Sequence, residues 1–356
     1  MISRRLEAVR QKLSESRLHA FLVTHLPHVQ YLTGFSGSNG ACLITQERQY
    51  FLSDGRYKAQ APQEVLDFRI IISSKGVAET VAQKGLLPKK STVGFEGAYL
   101  SVTQLSHLKR TLPSVRFRPF NSVIESIVCV KEESEIRLLR EAVSVTERVF
   151  GKILGIIKPG MRELDVAAEI AYLHRRLGAD ADAFEPIVAS GVRGAFPHAR
   201  ASGKKIRKGE MVTLDFGCRC RGYNSDLTRT IAVGPPSREM KKIYTIVRTA
   251  QQRAVETAMS GMSARTLDGI ARGFIRKSGY GKYFNHSLGH GLGREVHEIP
   301  KISALSKDIL QAGSVITIEP GIYVPGVGGV RIEDDVMIGN RESEVLTTSS
   351  KELLVL

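Results

Sequence analysis

The sequence predicts two domains, an α/β unit over residues 1–126 and an α+β unit over residues 127–356 in which a helix-then-strand segment occurs twice. Three observations carry this expectation. Short apolar runs alternate with helical stretches early in the chain, a charge-rich segment follows residue 126, and the remainder repeats itself at an offset of about 100 residues.

The opening MISRRLEAVRQKL spaces its apolar residues as a surface helix does and has neither the apolar stretch nor the small-residue cleavage site of a secretory signal. HAFLVT, ACLIT, FRIIIS and STVGF then read as strands, with a helix from Ser101 to Thr111 among the connections. VKEESEIRLLREA starts a long helix whose acidic first turn suits the positive end of its dipole. Beyond it, KPGMRELDVAAEIAYLHRRLG (158–178) and MSGMSARTLDGIARGFIRKSG (259–279) are both helices reached through Gly-Met, at Gly160 and Gly261, 101 residues apart. KGEMVTLDFG (208–217) and AGSVITIEPG (312–321) are both strands ending in a carboxylate, Asp215 and Glu319, 104 apart. His198 and His297 precede those strands, 99 apart. Such a doubled unit closes a pocket between two half-sheets, where corresponding strand ends converge.

Of the 356 residues, 42% are hydrophobic and 24% charged, the mix of a globular protein. No run approaches the roughly 18 apolar residues of a membrane span. Cys42, Cys129, Cys218 and Cys220 lack the spacing of a zinc site or disulfide framework and fit a reducing cytosol. In CRCRGYN, Cys218 and Cys220 read as small residues beside a tight turn. The net charge of +15 is spread over both halves, and KKIRK (204–208), its one basic run, has no aromatic neighbours and reads as a solvated loop. With no groove-reading motif, nucleic acid is not an expected partner.

Strand alternation puts Thr213 and Asp215 on one face and Val212, Leu214 and Phe216 on the other. The second copy does the same with Thr317 and Glu319 against Ile316 and Ile318, so each carboxylate has a hydroxyl two residues earlier as a candidate hydrogen-bond partner. Further carboxylates follow each strand, Asp226 in GYNSDLTRT and Glu333 in GGVRIEDD, and His290 sits in the glycine-flanked SLGHGLGREVHE. Taken singly these are a strand-end turn, an Asx turn, a solvated charge and a core histidine, with turn glycines beside it. Taken together, four carboxylates in one pocket repel one another unless cations are present, and two divalent cations cancel their charge. Hard oxygen donors with one imidazole suit manganese, iron or cobalt. Two such ions sharing a water point to hydrolysis of a carbonyl compound.

VTLDFG, GYNSDLTRT, LGHGLGREVHEIP, ITIEPGIY and VRIEDDV, in that order, resemble the motif set of the pita-bread metallopeptidases, which include methionine aminopeptidase, aminopeptidase P and prolidase. YLTGFSGSNGACLIT (31–45) and YFLSDGRYKAQA (50–61) resemble the creatinase-like N-terminal domain carried by aminopeptidase P and prolidase. The resemblance implies a curved antiparallel sheet in the second domain. It assigns Asp215 to one metal, His290 and Glu319 to the other, and Asp226 and Glu333 as bridges, with Glu319 taking a proton from the attacking water. His198, His286, His297 and Arg331 become substrate-pocket residues, His198 beside the scissile peptide and His297 near the carbonyl. Arg331, two residues before Glu333 on a strand, could also hold a ligand carboxylate.

The implied activity is a cytoplasmic Xaa-Pro aminopeptidase, a homodimer using two divalent metal ions, manganese first, with cobalt, iron or zinc as alternatives. Its N-terminal domain, with a partner subunit, would narrow the cleft to short peptides with a penultimate proline. Two alternatives stand beside it: a prolidase that cleaves only dipeptides, and a non-catalytic peptide-binding module. The prolidase needs a positive group to read the free carboxylate of its substrate, and sequence does not identify that group.

Overall fold

A computed structural model describes residues 2–356, in two compact units, one ending at Val128 and one running from Cys129 to Leu356. In the first unit α1 (Ile2–Glu15), β1 (Ala20–Val23), α2 (Leu26–Thr33), β2 (Ala41–Thr45), β3 (Gln49–Ser53), α3 (Ala61–Glu64), β4 (Arg69–Ile72), α4 (Val77–Gln83), β5 (Thr92–Glu96), α5 (Val102–Thr111), β6 (Arg116–Phe120) and α6 (Val123–Val128) follow in order. The six strands form one mixed sheet, β4-β3-β2-β1-β5-β6. Ala20 and Leu22 face a cluster that includes Leu43, Leu52 and Leu108 of α5, while Phe21 and Val23 face one with Leu6 and Val9 of α1. Because helices cover both faces, the central strands are continuous apolar runs, which is how they read in sequence. β3 and β6 were not among the expected strands. Ser101 caps α5 with a reciprocal Gln104 bond, so that helix starts one residue later than read.

The second unit begins with α7 (Glu133–Leu154) and α8 (Glu163–Arg176), followed by β7 (Ala181–Asp182), β8 (Ile187–Ser190), β9 (Glu210–Phe216), β10 (Cys218–Cys220), β11 (Tyr223–Asn224) and β12 (Leu227–Val233). Then come α9 (Arg238–Thr257), α10 (Ala264–Lys277), β13 (Gly289–Gly291), β14 (Glu298–Ile302), β15 (Val315–Ile318), β16 (Gly321–Val324), β17 (Gly328–Arg331), β18 (Asp334–Met337) and β19 (Glu344–Val345). The duplication is visible in the backbone. Gly160 and Gly261 enter α8 and α10 with φ of 93° and 85°, and Gly178 and Gly279 leave them with φ of 98° and 89°. Those left-handed angles are why the repeated positions are glycine. β9 pairs antiparallel with β8 and β12, and β15 does so with β13 and β18. Val212, Leu214 and Phe216 pack into one apolar cluster, Ile316 and Ile318 into another, so the opposite faces of both strands are left for the polar residues.

Two smaller expectations need correction or refinement. KKIRK is no freely solvated loop: Ile206 is buried, and Lys204 Nζ lies 2.7 Å from Ser190 Oγ and 2.6 Å from Glu210 Oε2. Cys218 and Cys220 do sit beside a tight turn, through Arg221 and Gly222 at positive φ, but they are strand residues with Sγ atoms 3.7 Å apart. All four cysteines are free and buried. Among the described residues no helix is long and apolar enough to cross a membrane.

Candidate active site

The two half-sheets bring the ends of β9 and β15 to one place. Asp215 is held across from Thr228 of β12 and Ile187 of β8. Glu319, just past β15, donates its amide to Leu288 O at 2.8 Å. Asp226 enters β12, its amide on Asp335 Oδ2 at 3.0 Å. Glu333 sits between β17 and β18, its amide on Thr228 O at 3.1 Å and its Oε2 accepting from Thr228 Oγ1 at 2.6 Å. His290 is the middle residue of β13, and its amide donates to Thr317 Oγ1 at 3.1 Å.

These placements converge. His290 Nε2 lies 3.6 Å from Glu319 Oε1 and 3.8 Å from Asp226 Oδ2. Ligand atoms of Asp226, His290 and Glu333 all fall within 4.8 Å of one another. His290 Nδ1 is 3.0 Å from Gly291 O, so a proton held there leaves Nε2 with its lone pair toward the carboxylates. Two adjoining cavities, of about 440 and 300 Å³, share His198, Asp215, His290, His297 and Glu319 as walls; Asp226 and Glu333 line the smaller, His286 and Arg331 the larger. All nine sequence-predicted residues therefore line one continuous site.

Its electrostatics are those of a site built around cations. Burial first, then the charge of Glu333, raises the carboxyls of Asp226 and Glu319 well above the usual range. Burial and then Asp215 push Glu333 up to about 8. Asp226 Oδ1 is buried without a hydrogen-bond partner. An orphaned carboxylate oxygen beside three other carboxylates and a neutral imidazole fits divalent metal ions. Burial also lowers the imidazoles, to about 4 at His290 and about 3 at His286, so both present lone pairs.

Several details differ from expectation. Thr317 bonds both His290 and Glu319, as its position predicts. Thr213 instead faces Thr230, 3.2 Å away, and the group holding Asp215 is Arg331, whose Nη2 lies 2.5 Å from Asp215 Oδ2. Arg331 thus holds one of the proposed ligand carboxylates, as its reading expected, and its Nη1 bonds Tyr323 Oη and Pro197 O. His286 lies on the segment before β13, as expected, with Nε2 2.8 Å from Tyr323 Oη. Sequence reasoning missed Tyr323, Thr228, Asp335 and Lys301, the last a wall of the larger cavity. For Thr228 and Asp335 a signal existed: each stands two residues after a proposed ligand and so shares its side of the strand. Gly289 and Gly291, read as turn glycines, are strand residues: a Cβ would fall 2.0 Å from Thr317 O at one and 2.2 Å from Ile299 O at the other.

Residues 137–340 match Metallopeptidase family M24, and residues 5–128 match the Creatinase/Prolidase N-terminal domain. A solved Xaa-Pro dipeptidase from Bacillus anthracis is 40% identical and superposes with a TM-score of 0.97, covering 100% of both chains. The Xaa-Pro dipeptidase of Pyrococcus furiosus is 38% identical over 98% of this chain and 99% of its own. An X-Pro aminopeptidase structure from Thermotoga maritima is 36% identical with a TM-score of 0.89, over 95% of this chain and 98% of that one.

Proposed function

The chain belongs to Metallopeptidase family M24 and carries a creatinase/prolidase N-terminal domain, and from that premise we propose that it is a metal-dependent Xaa-Pro dipeptidase. The metallopeptidase chemistry is carried by one observation, the convergence of three buried carboxylates, the half-buried Glu319 and the His290 imidazole on a single cavity. Sequence motifs led first to an aminopeptidase. The dipeptidase is now the better supported, because relatives of that name match the chain over nearly their full length at 38–40% identity. The positive group that this reading lacked has a candidate in Lys301, on the wall of the larger cavity.

Asp215, Asp226, His290, Glu319 and Glu333 would hold two divalent ions, manganese being our first choice for a donor set of oxygens with one nitrogen. When bound, such a pair supplies a water acidic enough to act near neutral pH and an electrophile for the scissile carbonyl. The chain does the rest. Glu319, whose carboxyl burial makes more basic, accepts the proton of the attacking water. His297, stacked edge-on against His290 with ring centroids 4.5 Å apart, donates to the oxygen that gains charge, and His198 orients the peptide. A bond to proline has no amide N–H. A cavity that offers the leaving nitrogen no acceptor therefore accepts proline where enzymes that grip that N–H do not. A cytoplasmic homodimer belongs to the same proposal.

The aminopeptidase remains a second reading on one observation: a wider groove of about 510 Å³ shares His286, Ser287 and Lys301 with the catalytic cavity, which leaves room for residues after proline. The two part on substrate length. Manganese-loaded protein is incubated with Ala-Pro, Ala-Pro-Ala and Ala-Ala, beside an Asp226→Ala control. We expect proline from Ala-Pro alone and nothing from the control. Equal cleavage of Ala-Pro-Ala makes the chain an aminopeptidase, and no proline from fully loaded protein sinks hydrolysis itself.

A further inference from the structure

The segment that carries His198 is tied at both ends to one side chain. Glu163, the first residue of α8, is fully buried. Its Oε1 accepts from the amide and hydroxyl of Ser190, each at 2.8 Å, at the end of β8. Its Oε2 accepts from Arg193 Nε at 2.9 Å, and from the amide and hydroxyl of Ser202 at 3.2 and 2.7 Å. Ser190 and Ser202 are 12 residues apart, and His198 lies between them. Arg193 extends the tie by donating Nη2 to Arg200 O at 2.6 Å.

The other half of the duplicated unit has an analogous device. On α10, buried Asp268 holds Arg272 through two bonds of 2.7 Å and accepts the Leu288 amide at 3.2 Å. Arg272 donates to the carbonyls of Phe284 and His286, at 2.9 and 2.7 Å. In both copies the helix reached through Gly-Met thus supplies a buried carboxylate that straps a cavity histidine's segment to the unit. Burying a carboxylate is costly unless its donors are all in place, so the strap holds one geometry or none.

We propose that Glu163 is a positioning residue for catalysis, fixing His198 against the catalytic cavity by clamping Ser190, Arg193 and Ser202 together. It acts through His198 and rests on the reading of that histidine given above. A residue that acts only through another gives non-additive losses, whereas a general effect on folding adds to every other loss. The test is a double-mutant cycle of E163A and H198A in the full-length manganese-loaded protein, with kcat and KM for Ala-Pro, metal content and thermal midpoint measured on each.

The expected result is a fall in kcat of roughly 10- to 100-fold for E163A at unchanged metal content, a comparable fall for H198A, and no further fall in the double variant. Should E163A not fold, E163Q, whose amide cannot accept all five donors, takes its place in the same cycle. Multiplicative losses, or a lower midpoint at unchanged kcat, overturn the proposal. A silent H198A removes the role of His198 itself and the clamp with it. An active-site loss in H198A that E163A does not share removes the clamp alone.

Discussion

At the scale of single residues, a hydrogen-bonded run joins a metal-ligand candidate to a half-buried cavity histidine: Asp215, Arg331, Tyr323, His286. Its two rings keep their states. Burial raises the Tyr323 phenol to about 12 and lowers His286 to about 3, so Tyr323 donates to His286 Nε2 and accepts from Arg331 Nη1. Neither ring titrates near neutrality, and the run transmits position, not protons. Replacing Tyr323 by Phe leaves both neighbours short of a partner, at about 1–3 kcal/mol for an unsatisfied buried group. In a unit of this size we expect a midpoint drop of about 2–4 °C per kcal/mol, with a fall in kcat of about 10-fold. Calorimetry and kinetics that match wild type would show that the run does not position Asp215. Sequence alone gave Arg331 a ligand carboxylate to hold but not which one, because Asp215 is 116 residues away and pairing across half-sheets has no local signal.

At the scale of elements, β13 shows how close backbone approach sets a ligand's place. Gly289 and Gly291 flank His290, and each would drive a Cβ into a carbonyl of the neighbouring segment. With no positive φ at either, space between strands is what demands glycine here, and composition cannot tell that from a turn. Gly291→Ala should displace β13 from β14, moving His290 off its carboxylates, with a loss of activity beyond about 100-fold and a lower metal content. Gly269→Ala is the contrast: exposed on α10 with nothing within 4 Å of a Cβ, it should gain about 0.5–1 kcal/mol. Wild-type metal content in Gly291→Ala would remove the close-approach account. The elements that were legible, α8 and α10 with their glycines and β9 and β15 with their terminal carboxylates, are those whose pattern repeats. β6, by contrast, is a sheet edge reading RFRPF with no fully buried residue, and nothing in such alternation distinguishes it from a surface loop.

At the scale of the whole molecule, a chain with net charge +15 converges four carboxylates on one cavity, and metal, pH and stability are coupled there. In the metal-free protein Glu333, raised from 4.5 to about 8, favours the fold when protonated; that stability is complete below about 4.5 and is lost as pH climbs through 8. Asp226 and Glu319 shift in the same direction. His290, lowered from 6.5 to about 4, works the opposite way, favouring the fold above 6.5 and opposing it as pH falls. The two effects blur the stability curve of the metal-free protein. They do not blur the effect of metal, because protons compete with the cation at carboxylate and imidazole alike. The gain in thermal midpoint on adding manganese should therefore grow from about pH 5.5 to about pH 8. At metal about 100-fold above its Kd the gain is about 2.7 kcal/mol, or about 5–10 °C. Scanning calorimetry of chelator-treated protein, with and without manganese across that range, reads it directly. A gain that is flat, or largest at the acidic end, would mean that the cation is held by something other than these five side chains.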